Sequence, residues 1–136
     1  MEQISKVITV EEHFMSEKVN GEYQKLLEKK NLTLAQKEKA NFIQQFVAKG
    51  EITEVGEKRL EFMETHGIDC QILSYGNNSP SYLDPKQAVV LCQMANEELA
   101  GYCKQYPGNF YGFAVLPVGD TGAALTELER TVKHLD

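Results

Sequence analysis

Gly67-Ile68-Asp69-Cys70-Gln71-Ile72-Leu73-Ser74-Tyr75 sets a helix-terminating glycine just ahead of an apolar run that does not alternate cleanly between apolar and polar. A strand with one wet face alternates; a near-continuous run reads as a strand buried on both faces, the pattern of a parallel sheet. Cys70 to Tyr75 is such a run, and so are Val7 to Val10 before it and Phe110 to Val118 after it. Glu57 to His66 carries Leu60, Phe62 and Met63 and ends at Gly67, which reads as a helix. Asp84-Pro85 is a helix cap followed by a first-turn proline. Lys86 to Tyr106 then places Ala88, Leu91, Cys92, Ala95, Leu99 and Tyr102 on one face until Pro107-Gly108 breaks it. Asp120 caps a last helix through Leu135, with Ala124, Leu125, Leu128, Val132 and Leu135 as its apolar stripe. The order is βαβαβα, an α/β class. Two Lys-, Glu-, Gln- and Leu-rich segments between Glu17 and Gly50 read as helices and form a large insertion after the first strand.

The chain has 136 residues, 42% hydrophobic and 25% charged, which fits one globular domain over residues 1–136 with the insertion at about residues 16–55. Fourteen Lys+Arg against twenty Asp+Glu give a net charge of -6, so there is no electrostatic case for nucleic acid or an anionic membrane surface as partner. The longest apolar stretches, such as Ala88 to Cys92, are far short of the roughly 20 residues a membrane-spanning helix needs. No leader-like apolar core precedes Val7, and Cys70, Cys92 and Cys103 are odd in number and widely spaced, so reduced thiols and a cytoplasmic protein are expected. Asp136 falls where a βα repeat should hand over to a fourth strand, so the chain reads as halting between modules.

Glu11-Glu12-His13 ends the first strand. In an extended chain Glu11 and His13 share one side while Glu12 faces away. A carboxylate and an imidazole at a strand's C-terminal end stand where open α/β sheets and barrels place their chemistry, and they suit zinc, manganese or iron. Spacing alone also allows a plain charged strand end. In a βα array His66 and His134, in last helical turns, and Asp69, at the start of the second strand, fall at the opposite end; the histidines there suit the helix dipole. Tyr75, Gly76, Asn77, Asn78, Ser79, Asp84 and Asp120 sit at the same end as Glu11 but add no imidazole. A catalytic metal has at least three protein ligands, so two candidates leave a site incomplete.

Val10-Glu11-Glu12-His13-Phe14, then Arg59-Leu60 and Met63 ahead of Gly67 to Ser74, resembles the amidohydrolase-related family that includes aminocarboxymuconate-semialdehyde decarboxylase and the hydroxybenzoate decarboxylases. The likeness continues through Ala95-Asn96-Glu97-Glu98-Leu99-Ala100, Tyr106-Pro107 and Phe110 to Pro117, covering most of Val7 to Leu135 outside the insertion. The resemblance implies a partial TIM (β/α)8 barrel: the first three βα units, with a helical insertion after strand 1 that helps cover the active-site mouth and makes subunit contacts. It implies a single divalent metal, zinc or manganese, on Glu11 and His13. The family's later histidine and aspartate ligands and its catalytic histidine have no counterpart here, so catalytic residues are expected beyond Asp136. Many amidohydrolases carry HxH on the first strand, and glutamate at position 11 is similar to the hydroxybenzoate decarboxylase branch. The implied activity, in the full-length form, is a metal-dependent carboxy-lyase removing carbon dioxide from a hydroxylated aromatic or related unsaturated acid, a small-molecule carboxylic acid substrate that Phe14 and Tyr75 would pack.

Two other readings stay open. The same metal pair serves a hydrolase opening an amide or lactone bond. From a different class, the chain is a truncated α/β module without catalysis, whose open sheet edges and apolar face drive association into a homo-oligomer; a monomeric, cooperatively folded chain would instead favour a flavodoxin-like sheet, although no glycine-rich phosphate loop supports a nucleotide.

Overall fold

The computed structural model describes residues 6–50, 52–76 and 79–135; Asn77, Asn78 and Asp136 lie outside the described residues. The elements run β1 (Ile8–Phe14), α1 (Glu17–Glu28), α2 (Leu34–Lys49), α3 (Glu57–Thr65), β2 (Cys70–Tyr75), a single 3-10 turn (Pro80–Tyr82), α4 (Pro85–Gln105), β3 (Phe110–Gly112) and α5 (Thr121–His134). Among the described residues the strands form one parallel sheet in the order β1-β2-β3, with α3 and α4 making the crossovers.

Local chemistry sets the boundaries. Ser16, Asp84 and Asp120 each accept a hydrogen bond from a first-turn amide, Val19, Lys86 and Ala123 respectively, and so cap α1, α4 and α5. Thr33 and Gln36 cap α2 reciprocally: the Thr33 amide donates to Gln36 Oε1 at 2.9 Å, and the Gln36 amide to Thr33 Oγ1 at 3.4 Å. At the end of α3, Gly67 takes φ 65°, Ile68 N–H donates to Met63 O and Gly67 N–H to Glu64 O. This is a Schellman termination, and Met63 and Ile68 pack into one apolar cluster.

The apolar interior lies on the helix side of the sheet. One cluster joins Phe14, Val55, Met63, Leu73, Leu99 and Phe110 beneath α3 and α4; a second joins Val19, Leu83, Ala88, Leu91, Cys92, Ala95 and Val115 where α1 and α4 meet the segment after β3. The three cysteines are free; Cys70 and Cys92 are buried and Cys103 half-buried, and burial pushes all three thiols up, Cys92 to about 12.

Three expectations differ from what forms. The third strand is limited to Phe110–Gly112, because the chain from Phe113 onward leaves the ladder after Phe113 N–H donates to Leu73 O; Val115 is instead paired by a side chain of α4. The outer strands are open on one face, since Ile8 and Val10 of β1 and Tyr111 of β3 are exposed where no described element covers them, whereas β2 between them has no exposed residue and buries Cys70, Gln71 and Leu73. The α5 stripe is likewise open. Leu125, Leu128 and Val132 are exposed while Glu127 is the buried residue of that helix.

Candidate metal centre

At the C-terminal end of β1 the pairing with β2 slips. Ile8 pairs Cys70 and Thr9 pairs Gln71, but Glu12 pairs Leu73, so Val10 and Glu11 together stand opposite Ile72 in a β-bulge. Glu11 has φ 64°, and among the described residues it is the non-glycine residue in the left-handed region. That conformation costs a residue with a Cβ about 1–2 kcal/mol, and such strain concentrates at functional sites. The regular extended alternation expected here is therefore corrected: an extra residue interrupts the pleat, and Glu11 is exposed on the bulge itself.

Beyond the bulge the register resumes, with His13 beside Ser74 and Phe14 beside Tyr75. His13 is exposed, and its Nδ1 lies 2.8 Å from Ser74 Oγ. Ser74 Oγ is also 3.4 Å from Glu12 O. Glu12 takes the other face and lines a cavity of about 970 Å³ among the helices, together with Arg59, Gln71, Glu98 and Tyr102; neither Glu11 nor His13 lines it. Arg59 reaches across from α3. Its Nη2 donates to His13 O at 3.0 Å, Nε to Glu54 O at 3.0 Å, and Nη1 lies 3.4 Å from Gln71 Oε1. Burial pulls the guanidinium below its ordinary pKa, with the Glu12 and Glu54 charges opposing.

The insertion closes on this same end. Met15 N–H donates to Ile52 O, and Gly76 N–H to Phe14 O at 2.8 Å. A Cβ at Gly76 would meet Ile52 Cδ1 at 2.8 Å and Phe14 O at 3.4 Å, so the turn after β2 passes close to both. Ser16 Oγ, beyond capping α1, donates to Glu98 Oε2 at 2.5 Å, and Tyr102 OH donates to Glu98 Oε1; burial, reinforced by Glu98, pushes the Tyr102 phenol up to about 12.

The other sequence candidates sort by place. Phe14 has 0% exposure and meets the half-buried Tyr75 edge to face at 5.2 Å, and both rings pack against the apolar clusters. The Tyr75 phenol is pushed well above its usual range by burial. Asp69 accepts from Val7 N–H at 2.6 Å, and His66 hydrogen-bonds Phe62 O and stacks on the Phe62 ring, both in the segments leading into β2. Ser79, Asp84 and Asp120 are spent on turn and helix caps. Among the described residues no group of three or more His, Cys, Asp and Glu is placed to hold a metal ion. The donor chemistry of Glu11 and His13 nevertheless fits two of the ligands of a divalent metal: a free carboxylate and an imidazole with one nitrogen held by a hydroxyl. Sequence reasoning assigned no role to Arg59 or Ser74; both act on His13 through a cross-strand register and a helix contact that no local pattern encodes.

No family model matches the chain. Over 87 residues it is 38% identical to the gamma-resorcylate decarboxylase of Rhizobium radiobacter, spanning 62% of this chain and 26% of that one. Among solved structures, 2,6-dihydroxybenzoate decarboxylase complexed with 2,6-dihydroxybenzoate superposes with a TM-score of 0.70 at 27% identity, over 97% of this chain and 37% of that one. The dihydroxybenzoic acid decarboxylase of Polaromonas sp. JS666, with bound manganese and the inhibitor 2-nitroresorcinol, gives 0.70 at 28%, over 97% and 36%. The chain thus spans about a quarter to a third of the length of these relatives. Its parallel βα sheet is a partial TIM barrel, and the chain is a homologue of the gamma-resorcylate decarboxylases and related amidohydrolase-fold decarboxylases, matching the N-terminal part of them.

Proposed function

We propose that this chain supplies the opening βα units and two metal ligands, Glu11 and His13, of a metal-dependent carboxy-lyase that decarboxylates a hydroxylated aromatic acid without an oxidant. The observation that carries the reading is the strained bulge: Glu11 is held at φ 64° two residues before an exposed, hydrogen-bonded imidazole, at the strand end where barrel chemistry sits. The homologues' own activity, and the manganese bound to one of them, support it.

In this reading Glu11 offers a carboxylate oxygen and His13 a ring nitrogen. Arg59 fixes the His13 main chain, and the segment around Ile52 walls the same strand end. A divalent metal bound there, manganese or zinc, supplies a Lewis acid and template for a substrate carboxylate and its neighbouring hydroxyl. The bond between carboxylate carbon and ring breaks, its electron pair stays on the ring as carbon dioxide leaves, and the ring carbon takes a proton. The three free thiols, none paired in a disulfide, fit a reducing, cytoplasmic setting. Among the described residues no helix is long and apolar enough to cross a membrane.

The test is product analysis with 2,6-dihydroxybenzoate and manganese or zinc, using the longest natural form of the protein. Release of carbon dioxide with stoichiometric resorcinol, lost in Glu11→Gln and His13→Asn, is expected. Opening of esters or lactones with no decarboxylation would overturn the reading in favour of a hydrolase.

A further inference from the structure

An imidazole binds a metal through one ring nitrogen, and the hydrogen bond made by the other nitrogen decides which one that is. The register of β1 and β2 sets His13 beside Ser74, with Nδ1 2.8 Å from Ser74 Oγ. The same hydroxyl donates to Glu12 O at 3.4 Å. A hydroxyl has a single proton, and a carbonyl oxygen only accepts. A hydroxyl proton directed at Glu12 O would leave Ser74 Oγ to accept from Nδ1–H of His13.

We propose that Ser74 is a positioning residue, one that holds His13 with its proton on Nδ1 and leaves Nε2 bare for the divalent metal. The inference rests on the reading of Glu11 and His13 as metal ligands. The surrounding geometry makes the hold specific. Arg59 Nη2 donates to His13 O at 3.0 Å, so the main chain that carries the imidazole is fixed from the helix side while Ser74 fixes the ring from the next strand. Gly76 brings the turn after β2 close enough that a Cβ there would lie 3.6 Å from His13 Cβ, which limits how far the strand end can move. The Ser74 hydroxyl reaches the carbonyl of Glu12, a bulge neighbour, so the slip in the ladder and the orientation of the ring are coupled through one oxygen atom. A regular strand would have sent the register, and with it the serine, to a different partner.

The tautomer is read directly by long-range 1H–15N correlation of the imidazoles in the metal-free protein at about pH 8.5, well above the ordinary histidine pKa, with His13→Gln assigning the signal. We expect the Nδ1-protonated pattern for His13 in the wild type. Ser74→Ala should lower the ratio of Nδ1–H to Nε2–H roughly fivefold, the size of one ordinary hydrogen bond, and Ser74→Thr, which keeps the hydroxyl, should restore it. On adding Mn2+, paramagnetic broadening should be greater at Nε2 than at Nδ1, and weaker in Glu11→Gln. A wild type protonated mainly on Nε2, or a ratio unchanged in Ser74→Ala, would overturn the role of Ser74. A wild type that is Nδ1-protonated but unbroadened by Mn2+ would instead overturn the metal reading, and with it Nε2 as a ligand. The two failures are distinguishable because the tautomer is measured before any metal is added.

Discussion

Arg59 shows how one side chain can hold a site without touching its chemistry. Its planar fork reaches two main-chain carbonyls on different segments, His13 and Glu54, and lies beside the Gln71 amide and the Glu12 charge. A lysine cannot copy that fork, since its ammonium is a point charge on a flexible stem. Arg59→Lys should therefore cost about 1 kcal/mol of stability, close to the cost of Arg59→Ala, because the partly exposed carbonyls of His13 and Glu54 lose the fork that joins them in both; urea midpoints of the two variants check this. Glu11 makes the complementary point. Glu11→Gly relieves the positive φ and should leave stability unchanged or slightly raised, while metal affinity falls if Glu11 is a ligand. Calorimetric unfolding and Mn2+ titration of the same variant separate the two effects.

Between elements, the contact of α4 with α5 and the segment after β3 is polar at its centre. Asn96 Oδ1 accepts from Val115 N–H at 2.7 Å. Its Nδ2 donates to Val115 O at 2.9 Å and to Glu127 Oε1 at 2.7 Å. The amide thus replaces a missing strand neighbour for Val115, satisfying both of its main-chain groups. Arg130 then pairs with Glu127 through Nε and Nη2, both at 2.8 Å. Asn96→Asp keeps the shape but removes both donors and sets a second carboxylate against Glu127. It should cost at least about 3 kcal/mol, more than Asn96→Ala, by thermal or urea unfolding. Burial raises the Glu127 pKa, but the hydrogen bonds from Arg130 and Asn96 outweigh it and leave the carboxyl below its ordinary value. A depressed folded pKa means stability that is present above the unfolded value of about 4.3 and lost as pH falls through the folded one. Urea unfolding across pH 5 to 3 should show that loss, and Glu127→Gln should flatten its share of the slope.

Tight contact between α4 and the sheet supplies a steric counterpart. A Cβ on Gly112 in β3 would lie 2.2 Å from Leu99 Cδ2 and 2.7 Å from Leu99 Cγ, so the Leu99 side chain would have to move out of its place in the core. Gly112→Ala should destabilise by about 1–3 kcal/mol through overpacking, and Leu99→Ala in the same chain should recover part of that loss, a coupling that a double-mutant cycle reads.

Over the whole molecule the helix side of the sheet is dry, and the other side is open at its outer strands. Tyr111 is 55% and Phe113 59% exposed on the open side, and Leu125 and Val132 of α5 are 62% and 67% exposed. Contiguous apolar surface of this kind drives association. Light scattering of the 136-residue chain should show concentration-dependent assembly, reduced in the double variant Tyr111→Lys, Phe113→Lys. An unchanged monomeric chain would argue against association through this face.

Much of this was legible in the sequence because it is local. Capping residues, the Gly67 stop, the Pro107-Gly108 break and the apolar run of β2 each depend on neighbours within a few residues, and the elements they predict form at or close to those positions. The apolar stripe of α5 misled because periodicity reports which residues want burial without saying what will bury them; Glu127 went inside because Asn96, 31 positions away in the chain, was there to meet it. The ordered motifs likewise pointed to the decarboxylase homologues, while the alternation rule failed at Glu11. A bulge is decided between two strands, by which residues of β2 pair with β1, and that register is set where the strands pack on α3 and α4. The sequence by itself determined the elements, their order and the candidate ligand pair, because propensity and capping act along the chain. Only the tertiary structure decided the slip at Glu11, the hold of Arg59 and Ser74 on His13, and which faces stay open, because those depend on pairings between residues about fifty to sixty positions apart.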